Sequence, residues 1–168
     1  MSRLIEQLNE QIAHEYAAHQ QYVAAAVHYD SQAMSQLAGF FYAQALEERT
    51  HAMMIVRYLM DIDAPVTIPG IAAPKTDFAD LVEPVSLALA QEQEVSAQFD
   101  ALAEKDHKGA NFLQWFLKEQ VEEVATMNDL LTVVERGRDQ PLLIEQFLAN
   151  NPFGRGDEGS IQPAIAGG

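Results

Sequence analysis

Apolar residues recur at helical spacing through four long segments of the chain, and short polar breaks separate these segments. In each segment the apolar positions fall on one face, which is typical of helices that pack in a bundle. Gly137 is a plausible stop for the fourth helix, and Pro141 opens a short apolar helix after it. The chain is therefore predicted to be all-α. The predicted helices cover residues 2–29, 33–61, 77–105, the stretch from the turn at 106–110 to residue 137, and residues 141–149.

The connection between the second and third helices is long and contains Pro65, Pro69 and Pro74, which exclude a continuous helix. About 15 extended residues reach ~50 Å, more than the ~43 Å length of a helix of about 29 residues. The connector can therefore run back along the whole bundle as one long crossover, which makes the second and third helices parallel. A flexible linker between two domains is the alternative.

The other connections are short. The polar break at residues 30–32 implies that the first two helices are antiparallel neighbours, with Asp30 or Ser31 capping the second. Residues 150–168 contain several Gly and Pro residues and few side chains that a core could bury, so we expect a flexible C-terminal tail. The expected organisation is one domain at residues 1–149 followed by this tail.

Polar residues interrupt the apolar face near the middle of each long helix. Glu48 and His51 are three residues apart, so they share one face of the second helix. A buried carboxylate without partners costs several kcal/mol, so something must compensate it. If the four helices pack with one crossover, these polar side chains converge in one layer of the core, as in bundles that bind metal ions. The residues of this layer are Glu15, Glu48, His51, Glu92, Gln120 and Glu123, and Tyr22, seven residues after Glu15, is expected to point into the same layer.

The chemistry of this layer suits cations. Two carboxylates ~5 Å apart repel by roughly 3 kcal/mol at an effective dielectric of about 20, so several together need cations or shared protons. Oxygen ligands with a single imidazole suit Fe, Mn or Zn, and bridging glutamates suit a pair of ions. The alternative is that these residues bind no metal: a lone glutamate on an apolar face is usually a surface residue, and a lone histidine is usually a core residue bonded to a backbone carbonyl. Tyr22 could donate to a ligand, act in electron transfer or simply pack in the core.

Composition excludes several other classes of protein. Twenty-five acidic against ten basic residues give a formal charge of −15, which opposes attraction to nucleic acid or anionic lipid and favours cations. The chain has no cysteine, so it has no disulfide. No apolar run approaches the roughly 18 residues that a membrane span requires, and the polar amino end shows no secretory signal. We therefore expect a cytoplasmic protein without membrane or nucleic-acid partners.

Three segments resemble the non-haem ferritins of bacterial type, and they look closest to the actinobacterial members. Together they are far more specific than a Glu-x-x-His pair alone. The resemblance covers nearly all of residues 1–149. The segments are Leu8-Asn9-Glu10-Gln11 leading to Glu15, residues 47–52 (Glu-Glu-Arg-Thr-His-Ala), and residues 112–116 (Phe-Leu-Gln-Trp-Phe) leading to Glu119-Gln120-Val121-Glu122-Glu123.

This resemblance implies a hollow homo-oligomeric cage of twenty-four subunits that oxidises Fe(II) with dioxygen or peroxide and stores a ferric mineral inside. The short fifth helix would meet its copies about a four-fold axis. Glu15, Glu48 and His51 would bind the first iron, Glu48 would bridge to a second iron held by Glu92 and Glu123, and Gln120 would lie beside this centre. Glu47, Glu119 and Glu122 match an accessory third iron site, with a solvated helix face as the alternative.

Related functions remain as alternatives. Bacterioferritin has a second Glu-x-x-His on its fourth helix, where this chain has Gln120-x-x-Glu123. Its haem methionine lies between the Glu and the His of the second helix, where this chain has Arg49-Thr50, so we expect no haem. A DNA-protecting mini-ferritin would need a basic arm and would lack the fifth helix. A di-iron peroxidase or oxygenase could use the same ligands, although the absence of cysteine excludes a rubredoxin-like electron donor within this chain.

Overall fold

The computed structural model describes residues 3–103, 110–153 and 162–167. Within these ranges the secondary structure is entirely helical, which confirms the predicted all-α bundle with a short fifth helix. None of the helices described combines the length and apolarity that a membrane crossing requires. The helices are α1 (Arg3–Asp30), α2 (Ser35–Asp61), α3 (Glu83–Ala103), α4 (Ala110–Gly137) and α5 (Pro141–Asn150).

The long connector between α2 and α3 lies along α1 and is fixed there by two side-chain amides. Asn9 donates to the carbonyl of Pro65 at 3.0 Å and accepts from the N–H of Thr67 at 2.6 Å. Gln21 makes the same pair of bonds to the backbone of Lys75, at 2.8 and 2.9 Å. Because the earlier connector residues meet the earlier part of α1, the connector runs in the direction of α1. This is the predicted crossover, and it makes α3 parallel to α2.

Two apolar clusters fill the bundle, one toward each end. Tyr22, Phe41 and Leu130 belong to the first cluster, and Ile12, Ile55 and Phe116 belong to the second. On every long helix the buried polar residues of the predicted layer fall between the residues of the two clusters. The apolar clusters therefore hold the four helices at a common height and enclose the polar layer from both sides.

The third helix begins six residues later than about residue 77, the predicted start. Oδ1 of Asp80 accepts the N–H groups of Val82 and Glu83, both at 2.9 Å, which is how a capping side chain satisfies the free donors of a helix start. Glu83 lies three residues after Asp80, the spacing of a capping box. The residues just before Asp80 are not helical, and Phe78 packs edge-on against His28.

The N-terminus of α2 is capped from the far end of the chain, so the predicted cap at Asp30 or Ser31 is wrong. Asp30 is the last residue of α1 and accepts from the hydroxyl of Tyr42 at 3.1 Å. The free N–H groups of Gln36 and Leu37 donate instead to the carboxylate of Glu145 on α5, at 2.7 and 3.1 Å. A carboxylate at a helix N-terminus also interacts favourably with the helix dipole.

The turn between α4 and α5 depends on a glycine. A Cβ atom at position 137 would clash with Cγ1 of the buried Ile144. Glycine therefore lets α5 fold back so that Ile144 packs against the end of α4. This close approach confirms Gly137 as the stop signal and brings Glu145 to the start of α2.

Parts of the predicted tail and of the turn before α4 lie outside the described residues, namely 104–109, 154–161 and 168. Within the described part of the tail, the N–H of Ala166 donates to the carbonyl of Met53 on α2 at 3.2 Å. Ala166 also packs against the apolar cluster that contains Ile55.

The Glu145 cap gives a direct test of how α5 supports the bundle. Glu145→Ala should lower the free energy of unfolding by about 1 kcal/mol, the usual cost of losing a capping side chain. It should also speed amide hydrogen exchange at Gln36 and Leu37, because their N–H groups lose their acceptor. Chemical unfolding and hydrogen exchange measure the two effects. Glu135→Ala, at an exposed glutamate on α4, is the control; equal effects of both substitutions would contradict the cap.

Candidate metal centre

The polar layer contains six side chains that are each at most 5 % exposed. The α-helical periodicity of the four long helices directs them inward, since each occupies a position that an apolar residue would otherwise fill. On α2 the spacing of three residues places Glu48 and His51 on one face. The side chains are Glu15 on α1, Glu48 and His51 on α2, Glu92 on α3, and Gln120 and Glu123 on α4.

The imidazole of His51 lies among carboxylates from three helices. Its Nδ1 atom is 3.7 Å from Oε2 of Glu15, 3.5 Å from Oε2 of Glu48 and 3.8 Å from Oε1 of Glu123. Trp115 and Phe116 contact the imidazole ring edge-on, each with a centroid distance of 5.7 Å. The aromatic rings restrict the orientation of the imidazole while its Nδ1 faces the carboxylates.

Two groups of potential ligands share Glu48. The first contains Glu15, Glu48 and His51; the second contains Glu48, Glu92 and Glu123. In each group one ligand atom per residue lies within 4.8 Å of the others. A carboxylate common to both groups is the geometry that a glutamate bridging two cations requires. The structure thus brings together the six residues that the sequence predicts for one layer.

Several polar atoms of this layer have no hydrogen-bond partner, which indicates the kind of ligand that the layer could bind. Among the described residues, eight buried side-chain nitrogen and oxygen atoms have no partner, and five of them belong to the layer. Such atoms are costly unless something compensates them. Oxygen and imidazole ligands together suit divalent iron, manganese or zinc, so these residues fit a pair of metal ions. The five atoms are Oε2 of Glu15, Oε1 of Glu48, Nδ1 of His51, Oε1 of Gln120 and Oε1 of Glu123.

Neutral donors hold several of the carboxylates. The side-chain N–H of Gln120 donates to Oε2 of Glu123 at 2.5 Å, and the hydroxyl of Tyr22 donates to Oε1 of Glu92. Burial and the charge of Glu92 raise the pKa of Tyr22 well above its usual value, so the phenol keeps its proton and remains a donor. Of the three roles considered for Tyr22, the structure shows the hydrogen bond to a candidate ligand.

Burial and mutual repulsion decide the protonation of the metal-free layer. Burial, together with the charges of Glu92 and Glu15, raises the pKa of Glu48 well above its usual value. Burial also raises the pKa of Glu92 to about 7. Burial alone would lower the pKa of His51, but the surrounding carboxylates, Glu123 foremost, raise it to about 10. In the metal-free protein at neutral pH, protons therefore take the place of cations in this layer.

Among the three residues predicted for an accessory iron site, Glu119 interacts electrostatically with both Glu47 and Glu122. Glu119 forms a third potential ligand group with His51 and Glu123. Glu47 accepts from the side-chain amide of Gln44 at 2.6 Å, and both burial and the charge of Glu119 contribute to its raised pKa. Glu122 is half-buried and its charge adds to the raised pKa of Glu119, but it is not part of the three ligand groups found among the described residues.

Two residues that contact the layer, the buried Gln11 and the half-buried Trp115, were not among the predicted site residues. Gln11 donates to Oε1 of Glu15 at 2.7 Å. Its spacing of four residues from Glu15, which places both on one face of α1, was the available signal. Trp115 contacts His51, and its indole nitrogen is buried without a hydrogen-bond partner. An aromatic residue on an apolar helix face carries no sequence signal that separates it from ordinary core.

The fold and the site together define a helical-bundle protein with a buried, glutamate-rich candidate metal centre. The family model for the ferritin-like domain matches residues 5–137, and the chain therefore belongs to the ferritin family. This confirms the resemblance to bacterial ferritins that the sequence motifs predict.

Individual relatives agree with this assignment. Ferritin BfrB of Mycolicibacterium smegmatis is 46% identical, over 96% of this chain and 91% of that protein. Bacterial non-heme ferritin of Staphylococcus aureus is 40% identical, over 89% of this chain and 95% of that protein. Among solved structures, an engineered closed form of Archaeoglobus fulgidus ferritin superposes with a TM-score of 0.83 at 25% identity, covering 92% of this chain and 99% of that one.

The raised pKa of Glu92 predicts how the stability of the metal-free protein depends on pH. Below pH 4.5, the usual value for this carboxyl, Glu92 is protonated whether the chain is folded or unfolded. Between there and about pH 7 only the folded chain keeps the proton, so raising the pH favours unfolding. The contribution of Glu92 is thus fully present below pH 4.5 and is lost as the pH rises through about 7. For one proton, the free energy of unfolding cannot fall by more than about 1.4 kcal/mol per pH unit.

Glu92→Gln should remove this slope, because the amide does not ionise and still offers an oxygen to Tyr22. Urea unfolding of the metal-free protein between pH 5 and about 8, at one protein concentration, gives the free energy of unfolding against pH for wild type and for Glu92→Gln, and the two curves are compared. Glu94→Gln, at an exposed glutamate two residues along α3, is the control. Parallel curves for wild type and Glu92→Gln would contradict the raised pKa.

Proposed function

We propose that this protein is an iron-storage ferritin that oxidises Fe(II) to Fe(III) at the buried centre and stores the ferric mineral inside a cage of twenty-four subunits. The observation that carries the proposal is the pair of ligand groups joined by Glu48, whose unpaired atoms lie inside the bundle. The family membership and the relatives named ferritin agree with it. The proposed setting is the cytoplasm, with residues 1–149 as the ferritin-like domain and the remainder as a tail.

In this proposal each side chain has a role that follows from its position. Glu15 and His51 bind the first Fe(II), Glu92 and Glu123 bind the second, and Glu48 binds both. Gln120 orients Glu123 through its hydrogen bond, while its own Oε1 faces the layer without a partner. Glu47, Glu119 and Glu122 provide a third, accessory site for iron.

The same residues explain why oxidation is favoured there. Carboxylates stabilise the ferric ion more than the ferrous ion because the attraction grows with the charge of the cation. Two Fe(II) ions held together can pass two electrons to one dioxygen molecule, which leaves as hydrogen peroxide after taking up two protons. Glu48 and Glu123, whose pKa values burial raises well above the usual range, release protons when metal binds. The net charge of −15 favours the approach of Fe(II).

The stoichiometry of iron oxidation tests this function directly. Metal-free protein is titrated with Fe(II) without oxygen and then exposed to air, while absorbance and particle size are recorded. We expect rapid oxidation that saturates near two irons per subunit, then slower mineral growth inside a large particle. The same spectra should show no Soret band, because we expect no haem. Small particles that oxidise only the first two irons, or that turn over a second substrate, would indicate a di-iron peroxidase or oxygenase instead.

Replacing the shared ligand tests the site itself. Glu48→Ala should abolish the fast phase of iron oxidation while the cage still assembles, because both proposed ions lose a ligand. Substituting a residue that merely supports a ligand typically weakens a metal site about 10–100-fold, so the loss here should be at least this large. Glu94→Ala, at an exposed position on α3, should keep the wild-type rate. Wild-type initial rates in Glu48→Ala would exclude this assignment of the site.

A further inference from the structure

The polar layer has a neighbour on α1 that the proposed ligand set does not include. Gln11 is 2 % exposed, and its side-chain N–H donates to Oε1 of Glu15 at 2.7 Å. On its other side Gln11 lines a groove of about 360 Å³ between α1 and α3, whose opposite wall includes Gln98. Gln11 therefore lies between this groove and Glu15, and its amide is committed to the carboxylate.

The hydrogen bonds of the layer distinguish its carboxylates from one another. Glu15, Glu92 and Glu123, each proposed to bind one ion, have one oxygen tied by a neutral donor. Glu48, proposed to bind both ions, accepts no hydrogen bond of this kind among the described residues, and its Oε1 has no partner. Each tied carboxylate thus presents one oxygen to the layer, whereas the hydrogen bond of Glu48 is to Glu15, inside the layer itself.

We propose that Gln11 is a positioning residue for the metal centre: its amide holds Oε1 of Glu15 so that Oε2 alone is presented to the first ion. This inference rests on the proposed function, because Glu15 is a ligand only if the layer binds metal. Oε2 of Glu15 is buried, has no hydrogen-bond partner and faces Nδ1 of His51 at 3.7 Å. It is therefore the oxygen left for an ion that the imidazole also binds.

The chemistry of an amide suits this role. A hydrogen bond to a carboxylate is stronger than one between neutral groups, so it removes much of the rotational freedom of Glu15 before metal arrives. An amide adds no charge, whereas a lysine or arginine at this position would weaken the attraction for the cation. Groups that orient a metal ligand in this way typically contribute about 10–100-fold to metal affinity.

Co(II) provides a probe of the site that does not depend on iron oxidation. Gln11→Met keeps an unbranched side chain of similar length but has no N–H to donate. Titration of the metal-free assembled protein with Co(II), followed by visible absorption, should show one of two ions per subunit bound about 10–100-fold more weakly. Gln11→Leu, which lacks the amide but has another shape, should show the same loss and guards against a folding defect peculiar to methionine.

Gln98→Met is the matched control, since it makes the same chemical change on the opposite wall of the groove. Gln98 has no bond to a carboxylate among those found in the described residues, and its Oε1 has no partner. Its substitution should leave both Co(II) affinities unchanged. Equal losses for Gln98→Met and Gln11→Met would overturn the inference, because they would point to the groove rather than to the hydrogen bond.

A double variant separates positioning from general structural support. If Gln11 acts through Glu15, Gln11→Met should cause no further loss of Co(II) affinity once Glu15→Ala is present. A further loss in that background, or unchanged affinity in the single variant, would overturn the role of Gln11 alone. Wild-type protein that binds no Co(II) in this layer would overturn the proposed function as well.

Discussion

The repulsion among four buried glutamates is the constraint on which the rest of the bundle depends. Glu15, Glu48, Glu92 and Glu123 come from four different helices, and each is at most 5 % exposed. Charges this close in a medium of low dielectric cannot all persist without compensation. The apolar clusters on either side must therefore be well packed, because they supply the favourable burial that holds the four helices around an unfavourable layer.

Protons and cations compete for the same oxygen atoms in this layer. In the metal-free protein, burial raises the pKa of Glu48 and of Glu123, so both keep their protons more readily than exposed carboxyls. Glu15 differs: burial opposes its ionisation, but its contacts with His51 and its hydrogen bonds from Glu48 and Gln11 outweigh burial and lower its pKa. The metal-free layer thus has one carboxylate that ionises readily, that of Glu15, beside the imidazole. In the proposed function, the other carboxyls would lose their protons as metal binds.

The spacing of apolar and polar residues along the chain was enough to predict the helices and the polar layer, because the helical period decides which residues of a helix face inward. Glu92 could be assigned to the core from its apolar neighbours on α3 without any knowledge of its partners. The cap of α2 could not be found in this way, since Glu145 lies more than 100 residues along the chain from Gln36. Gln11 was missed for a different reason: its spacing of four residues from Glu15 places both on one face of α1, but the same spacing is found for a glutamine that simply packs in the core.

The hydrogen bonds within the layer connect its geometry with the charge of the cation that it would favour. The donors to Glu15, Glu92 and Glu123 are an amide, a phenol and an amide, and all three are uncharged. A charged donor would fix a carboxylate equally well, but it would cancel part of the negative potential at the metal position. Neutral donors fix the geometry and leave that potential intact. Because the energy of a cation in this potential grows with its charge, the same arrangement that orders the proposed ligands would also favour the ferric over the ferrous ion.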